Sequence, residues 1–379
     1  MDNPAAPIDT QQEQAFERLL HEATPHAYVT PLIIAANIIV FAAMVALGVQ
    51  VLGGRAEEYL RFGANFAPLT TGGEWWRLFT CTFIHFGIVH LACNLWALWY
   101  SGRLAERLFG NAWFAALYIF AGVFGSSASI FWNQEVISGG ASGAVFGVFG
   151  ALLAYMAKER GSIPDATLNH LRISTSTFVV YSLFYGFVQS DIDNAAHLGG
   201  LAAGFIMGLV LARPLDEARR RDGRLRRAAL GGLLALVMLP TAALYTPDIS
   251  RVYREAHVFQ KELEAFSAEE KRLQTAFMAI AEKSRAKKID AAAALNELRT
   301  DILPAWDAAV VRFASIELDA KAPSRQDYDL LLRYAIARRD GMHAVANYLA
   351  TNDAVQEKII SEQREIAAAA LKQYQTRQK

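Results

Sequence analysis

The stretch Ala196-His-Leu-Gly-Gly-Leu-Ala-Ala-Gly-Phe-Ile-Met-Gly208 carries the pattern that decides the fold. Gly200, Gly204 and Gly208 recur every four residues, so in a helix they share one face, and His197 lies just beyond them on that face. Small residues in an apolar helix let a neighbouring backbone approach closely, as membrane helices often do. The stretch therefore predicts a membrane helix with a smooth packing face and a histidine at one end.

A second stretch, Ser138-Gly-Gly-Ala-Ser-Gly-Ala-Val-Phe-Gly147, has the same small-residue character. Ser142 is predicted near the N-terminal end of a helix, where the dipole and free N–H groups favour a developing negative charge. Taken alone, the stretch also fits a simple packing stripe, which consists of Gly143, Gly147, Gly150 and Ala154. If the two glycine faces pack together, Ser142 and His197 meet at the same end. A serine beside a neutral imidazole is the minimal activated nucleophile.

Further apolar stretches place these two helices in a larger bundle. A membrane helix needs about 20 apolar residues, with some tolerance. Seven stretches qualify, namely 30–52, 84–101, 112–132, 141–157, 173–189, 195–212 and 228–246. The predicted fold is all-α: a polytopic membrane helical bundle with a six-helix core, a seventh transmembrane helix and a C-terminal soluble helical domain.

The composition changes sharply along the 379-residue chain. The long apolar runs lie within 30–247, whereas 248–379 is rich in Glu, Lys, Arg, Gln and Ala, which indicates a membrane domain followed by a water-soluble one. The expected divisions are an N-terminal tail (1–29), the core (30–213), a basic loop with the seventh helix (214–247) and the soluble domain (248–379). Since 37 basic residues balance 37 acidic ones, nucleic acid is not an expected partner.

The distribution of Lys and Arg predicts the orientation. Placing the N-terminus in the cytoplasm leaves thirteen basic residues of the short loops on the cytoplasmic side: Arg18, Arg103, Arg107, Lys158, Arg160, Arg172, Arg213, Arg219, Arg220, Arg221, Arg224, Arg226 and Arg227. It leaves three outside, namely Arg55, Arg61 and Arg77. Because cytoplasmic loops carry the excess of basic residues, the N-terminus is predicted inside and, with seven spans, the soluble domain outside. Residues 1–29 lack the pattern of a cleavable signal peptide.

The second predicted span carries the polar residues His85, His90 and Asn94. His90 and Asn94 are four residues apart and share one helix face. One interpretation is structural: the two side chains would form hydrogen bonds between helices. Beside a catalytic serine they also fit donors to an oxyanion, a role that side chains fill as well as backbone N–H groups.

Two other sets of polar residues are given no catalytic or metal role. Asp193 lies four residues before His197, but it is interpreted as part of a solvated outer connection, so a Ser-His dyad is predicted. Cys81 and Cys93 lack the spacing of metal ligands and are interpreted as small core residues. Neither a metal nor a cofactor is expected.

Taken together, these motifs resemble the rhomboid family. The matching pieces are Glu74-Trp-Trp-Arg77, the stretch from His85 through His90 to Asn94, Gly140-Ala-Ser-Gly143, and Ala196-His197 with Gly200 and Gly204. They follow the family's order over about residues 30–213. The resemblance implies an intramembrane serine protease that cuts transmembrane proteins within or beside their membrane segment.

The resemblance also implies individual roles. Ser142 would be the nucleophile and His197 the general base, while His90, Asn94 and the Ser142 amide would bind the oxyanion. Gly140 and Gly143 would shape the surroundings of the nucleophile, His85 would line a wet cavity, and Trp76 with Arg77 would stabilise the outer loop at the bilayer interface. Many relatives have tyrosine where this chain has Phe146, so stacking on the histidine is retained without the hydroxyl.

The sequence leaves two alternative functions open. An inactive rhomboid-like protein would bind membrane helices without cutting them, although such proteins typically lack the serine or the histidine. A transporter or channel would need polar residues through the whole depth of the bundle, and here they stop in its outer half. The expected location is a cell membrane, such as a bacterial inner membrane. The soluble domain is expected to bind a protein partner or to self-associate, and within it Ser324 to Asp327 predicts a helix-capping box.

Overall fold

The computed structural model describes residues 10–189, 192–215 and 223–378. Within these ranges the chain is helical apart from its connections, and the single β-bridge pairs Asn65 with Ser138. The chain divides into two compact units, Met1–Ser250 and Arg251–Lys379. Two groups of residues discussed above lie outside the described ranges: the first nine residues, and Arg219, Arg220 and Arg221.

The first unit contains eleven described helices. They are α1 (Thr10–Ala23), α2 (Val29–Ala46), α3 (Ala56–Phe62), α4 (Ala67–Thr70), α5 (Arg77–Thr80), α6 (Ile88–Phe109), α7 (Asn111–Trp132), α8 (Ser142–Lys158), α9 (Asp165–Val188), α10 (Asn194–Leu211) and α11 (Arg224–Tyr245). Short 3₁₀ turns occupy Cys81–Phe83 and Arg160–Ser162. The predicted all-α fold is confirmed.

Each of the seven predicted spans corresponds to a helix of this unit. Five helices, α2, α7, α9, α10 and α11, are long and apolar enough to cross a bilayer. The shorter α8 is apolar over 17 residues, and the segment Arg77–Phe83 forms a bent pair with α6, at an angle of 94°. Helix α8 lies inside the bundle and does not face lipid, because all residues from Gly143 to Leu152 are buried. Its small-residue sequence suits this close packing.

The second predicted span is wrong in its boundaries and in its continuity. The helix begins at Ile88, so His85 lies before it and not on the same helix as His90 and Asn94. The break is at Gly87, whose φ of +120° is a backbone conformation that favours glycine. A Cβ at this position would lie 2.9 Å from the Leu52 carbonyl oxygen. The backbone therefore turns sharply between His85 and His90.

A buried carboxylate on α6 fixes the start of α2. The Glu106 side chain is fully buried, and its two oxygens accept hydrogen bonds from the Val29 N–H at 2.6 Å, the Thr30 N–H at 2.8 Å and the Thr30 hydroxyl at 2.7 Å. The first N–H groups of a helix have no partner within it, and a negative charge there also complements the helix dipole. Glu106 thereby joins α2 to α6.

We expect Glu106→Gln to destabilise the first unit. The amide keeps the size of the side chain but turns one acceptor oxygen into a donor that faces other donors. Losing charge-assisted bonds at a buried position should cost about 3 kcal/mol, or a melting temperature lower by roughly 5–10 °C. Cys81 is buried, whereas Cys93 is exposed, contrary to its interpretation as a core residue. Thermal unfolding in detergent can therefore be followed with a thiol-reactive dye in a Cys93→Ser background, where Cys81 alone reports unfolding. Glu57→Gln, at an exposed position of α3, is the matched control and should melt like the wild type. Equal melting of both variants would contradict the role of Glu106.

The second unit is a bundle around aromatic residues. Its helices are α12 (Ser250–Arg285), α13 (Ala291–Glu297), α14 (Leu303–Ala314), α15 (Arg325–Thr351) and α16 (Ala354–Arg377), with a π-helical segment at Leu298–Ile302. Phe266, Trp306 and Phe313 lie in its buried core. The predicted capping box is wrong: the Ser324 side chain makes no capping bond, and Asp327 instead accepts from Arg377 at 2.6 Å.

Candidate active site

Ser142 is the first residue of α8, and the preceding loop is fixed by backbone hydrogen bonds. Ser138 and Asn65 exchange two such bonds, each of 2.8 Å, and the Gly140 N–H donates to the Cys81 carbonyl at 2.9 Å. The Ser142 side chain is half-buried at the N-terminus of the helix. The loop therefore presents the hydroxyl at the position where free backbone N–H groups converge.

His85 ties this loop to the turn that precedes α6. The Ala141 N–H faces His85 Nε2 at 3.4 Å, and His85 Nδ1 faces the Phe83 carbonyl at 3.3 Å. A neutral imidazole has one donor and one acceptor, so these partners place the proton on Nδ1. The side chain is fully buried. The expectation that His85 lines a wet cavity is therefore wrong for this structure, since both ring nitrogens are directed at protein backbone.

His90 lies beside the nucleophile. Its Nδ1 accepts from the Phe86 N–H at 3.4 Å, which leaves the proton of a neutral ring on Nε2. A Cβ on Gly140 would lie 2.8 Å from this Nε2 and 3.8 Å from Ser142 Oγ, so both atoms border the same small space. Gly140 has a φ of +122°, and any side chain there would collide with the imidazole. Glycine at this position is required by both backbone and space.

Asn94 follows His90 by one turn and is buried. Its Nδ2 donates to the His90 carbonyl at 2.9 Å, within its own helix. An amide nitrogen carries two protons, so one remains available to a ligand. The structure thus places Asn94 on the face that carries His90.

The glycine faces of α8 and α10 pack directly on each other. A Cβ added at Gly200 would collide with the Gly143 carbonyl oxygen, and one at Gly204 with the Gly147 carbonyl oxygen. One turn further, a Cβ at Gly208 would lie 2.7 Å from the Ala151 Cα. The backbones are therefore too close to admit side chains over two turns, which confirms the predicted contact between these helices.

This contact brings the ends of the two helices together. His197 lies in the first turn of α10, 8% exposed, and its ring stacks on Phe146 with 4.2 Å between ring centroids and 8° between planes. Phe146 lies one turn after Ser142 on the same face of α8. The predicted stacking of Phe146 on the histidine is confirmed. His197 Nδ1 is buried and has no hydrogen-bond partner among the described residues.

Asp193 differs from its interpretation as a solvated loop residue. It is the N-cap of α10, and its Oδ1 accepts from the Ala196 N–H at 3.0 Å. Its other oxygen, Oδ2, is buried and lacks a hydrogen-bond partner in the part of the chain that the structure describes. The sequence did contain a signal for this role, because an aspartate before an apolar helical stretch is a favoured N-cap.

Arg77 and Trp76 anchor the segment between α2 and α6, outside the site. The Arg77 guanidinium is buried and donates to the carbonyls of Leu60 and Ala64 at 2.7 and 2.9 Å and to Glu74. It also lies over the Trp76 ring, 4.7 Å from the centroid, while Trp76 itself is exposed. An exposed tryptophan backed by an arginine suits the depth of the bilayer interface.

Comparison with known proteins agrees with this architecture. Residues 72–214 match the rhomboid domain family. Rhomboid protease GluP of Bacillus subtilis is 34% identical over 62% of this chain and 44% of its own length. RHOMBOID-like protein 5 of Arabidopsis thaliana is 33% identical over 49% and 68%, and Rhomboid-like protease 2 of Toxoplasma gondii is 32% identical over 49% and 67%.

The apolar helices and the family match define a multi-pass membrane protein. The chain belongs to the rhomboid family. It spans less than half of the Bacillus relative and about two thirds of the other two.

Proposed function

We propose that the protein is a serine-type endopeptidase that cuts transmembrane proteins within or next to their membrane segment. Ser142 is the nucleophile and His197 the general base of a Ser-His dyad. The observation that carries the proposal is the backbone contact between α8 and α10, with the His197 ring stacked on Phe146, one turn after Ser142. This supports an alcohol and an imidazole side by side at one end of two buried helices.

The chemistry follows from the placement of the donors. Ser142 Oγ attacks the scissile carbonyl while His197 Nε2 takes its proton and later returns it to the leaving amine. Negative charge then develops on the carbonyl oxygen, next to the helix N-terminus. The Ser142 N–H, the proton on His90 Nε2 and the free proton of Asn94 are the proposed donors to this oxyanion.

The substrate is proposed to be a membrane helix that unwinds easily near small residues. A carbonyl within an intact helix accepts an internal hydrogen bond, so it cannot enter the oxyanion site until the helix opens. The deep, mostly apolar setting of the site favours such a substrate over a soluble polypeptide. The lipid bilayer is then part of the system, because it delivers the substrate laterally.

We also propose an orientation and a division of the chain. The excess of basic residues supports a cytoplasmic N-terminus and an extracytoplasmic soluble domain. The proposed core is 30–213, followed by the basic loop and seventh helix (214–247) and the domain 248–379, in a cell membrane. That domain is proposed to bind a protein partner or to self-associate.

The experiment that tests the function uses the purified full chain in detergent. We expect a test substrate with one transmembrane segment to be cut within or beside that segment, as mapped by mass spectrometry. We also expect a fluorophosphonate probe to modify Ser142, with a bond formed from Oγ to phosphorus and fluoride released. Serine hydroxyls are weak nucleophiles, so selective labelling requires an activating base.

The controls are internal to the chain. Ser127 lies in α7, donates to the Val123 carbonyl at 3.0 Å, and should remain unlabelled. Heat-unfolded protein should lose the Ser142 label, because activation depends on the fold. Equal labelling of Ser127 and Ser142, or a substrate cut only in its soluble flanks, would contradict the proposed function.

A further inference from the structure

The first turn of α10 contains three buried polar atoms without hydrogen-bond partners among the described residues, namely Asp193 Oδ2, Asn194 Oδ1 and His197 Nδ1. Burying such an atom unpaired is unfavourable, so native proteins rarely leave several in one helical turn. The coincidence of Asp193 Oδ2 and His197 Nδ1 beside the proposed nucleophile indicates a shared role.

The spacing of the two residues in the helix allows these atoms to approach each other. Asp193 is the N-cap and His197 follows it by four residues, so both side chains lie on one face. Side chains in a helix lean toward its N-terminus, which tilts the imidazole toward the aspartate. Asp193 Oδ1 is occupied by the Ala196 N–H, so Oδ2 is the oxygen that remains for the histidine.

The other polar groups near His197 are either paired or directed elsewhere. Asn194 Nδ2 donates to the Leu183 carbonyl of α9 at 3.2 Å. Asn194 Oδ1 has no partner in the described part of the chain, but it faces Gly186 of the same helix, where an added Cβ would collide with it. Cys81 Sγ pairs with Ser126 Oγ at 3.1 Å, and His90 Nδ1 accepts from the Phe86 N–H. One face of the His197 ring is covered by Phe146. Asp193 Oδ2 is therefore the acceptor best placed to receive a proton from His197 Nδ1.

We propose that Asp193 is a positioning residue that holds His197 in the protonation form the reaction requires. This inference rests on the proposed protease function. With the proton on Nδ1, held by Asp193 Oδ2 directly or through one water, the lone pair on Nε2 faces Ser142. During attack the Ser142 proton moves to Nε2, the Nδ1 proton stays on the ring, and the carboxylate stabilises the imidazolium that forms.

Two substitutions separate this role from helix capping. Asn and Ser both cap helices well, so Asp193→Asn and Asp193→Ser should retain the hydrogen bond to the Ala196 N–H. In Asp193→Asn, however, Oδ1 stays with that N–H and an NH₂ group replaces Oδ2. A donor then faces Nδ1 and selects the tautomer with its proton on Nε2, which cannot accept from Ser142.

We expect kcat to fall about 100-fold or more in Asp193→Asn, with KM within about twofold of the wild type. Asp193→Ser leaves room for a water that can accept from Nδ1, so its kcat should fall less, by about 10-fold. Capping alone predicts the opposite order or no difference. The proposal would be overturned if both variants kept kcat within about twofold of the wild type. It would also be overturned if both variants lost kcat in proportion to a lower melting temperature.

A second measurement does not depend on catalysis. Nitrogen-15 NMR of histidine-labelled protein in bilayers reports which ring nitrogen carries the proton, and the His197 signals can be assigned by their loss in His197→Phe. The wild type should carry the proton on Nδ1 and Asp193→Asn on Nε2. A wild-type proton on Nε2 would overturn the role of Asp193, whereas absent cleavage by the wild type would contradict the proposed function instead.

Discussion

Ser142→Ala and His197→Phe are each expected to lower the rate of substrate cleavage by about three orders of magnitude or more. Alanine removes the attacking oxygen, and phenylalanine removes the base. The choice of phenylalanine matters, because its ring can retain the stack on Phe146 while it cannot accept a proton. The measurement is initial cleavage rate in detergent, with the melting temperature of each variant determined alongside.

The double variant provides the sharper comparison. When two residues act in one proton-transfer step, replacing the second has little further effect on the rate once the first is gone. The double variant Ser142→Ala with His197→Phe should therefore cleave no more slowly than either single variant. Ser127→Ala, a buried serine in the same bundle, is the matched control and should cleave like the wild type. If the effects of the two single variants multiplied, the residues would act independently and the dyad would be wrong.

The packing of α8 on α10 was predictable from sequence for a simple physical reason. Glycines spaced by four residues leave a groove along a helix, and two such grooves fit together without any side chain having to choose a rotamer. Gly143 and Gly147 meet Gly200 and Gly204 as that argument requires. This contact places the His197 ring on Phe146, which lies one turn after Ser142.

The break before α6 was not predictable by the same reasoning. Hydropathy adds the contributions of Ile84, Phe86 and Ile88 whether or not the backbone is continuous, so a sharp turn among apolar residues gives no signal. Gly87 is compatible with both a helix and a turn. What decides between them is its close approach to the Leu52 carbonyl, a contact between distant segments.

The polar details of the site depend on similar long-range contacts. His85 is directed at Ala141 and Phe83, and neither partner follows from helix spacing. Asp193 had a local signal as a helix cap, but the burial of its second oxygen depends on the helices that surround it. Sequence patterns therefore predicted which helices meet, whereas the hydrogen bonds of the side chains depend on the folded backbone.

Gly200→Val is expected to have the largest effect on the fold. A Cβ at Gly200 collides with the Gly143 carbonyl oxygen, and a valine adds two further methyl groups to the same contact. The obstacle is backbone and not a flexible side chain, so relief requires the two helices to separate. Overpacking costs about 1–3 kcal/mol where side chains can yield, and here we expect at least the upper end of that range. Cleavage should be lost along with thermal stability.

The matched control is Gly232→Val in α11, where a Cβ would meet no atom within 4 Å. Both substitutions place a β-branched residue in an apolar helix, so their intrinsic helix propensities cancel in the comparison. The difference in melting temperature then reports the contact between α8 and α10 alone. Similar melting and cleavage in the two variants would mean that these helices do not touch through their backbones. The reason for placing Ser142 beside His197 would then be lost, whatever the activity of the wild type.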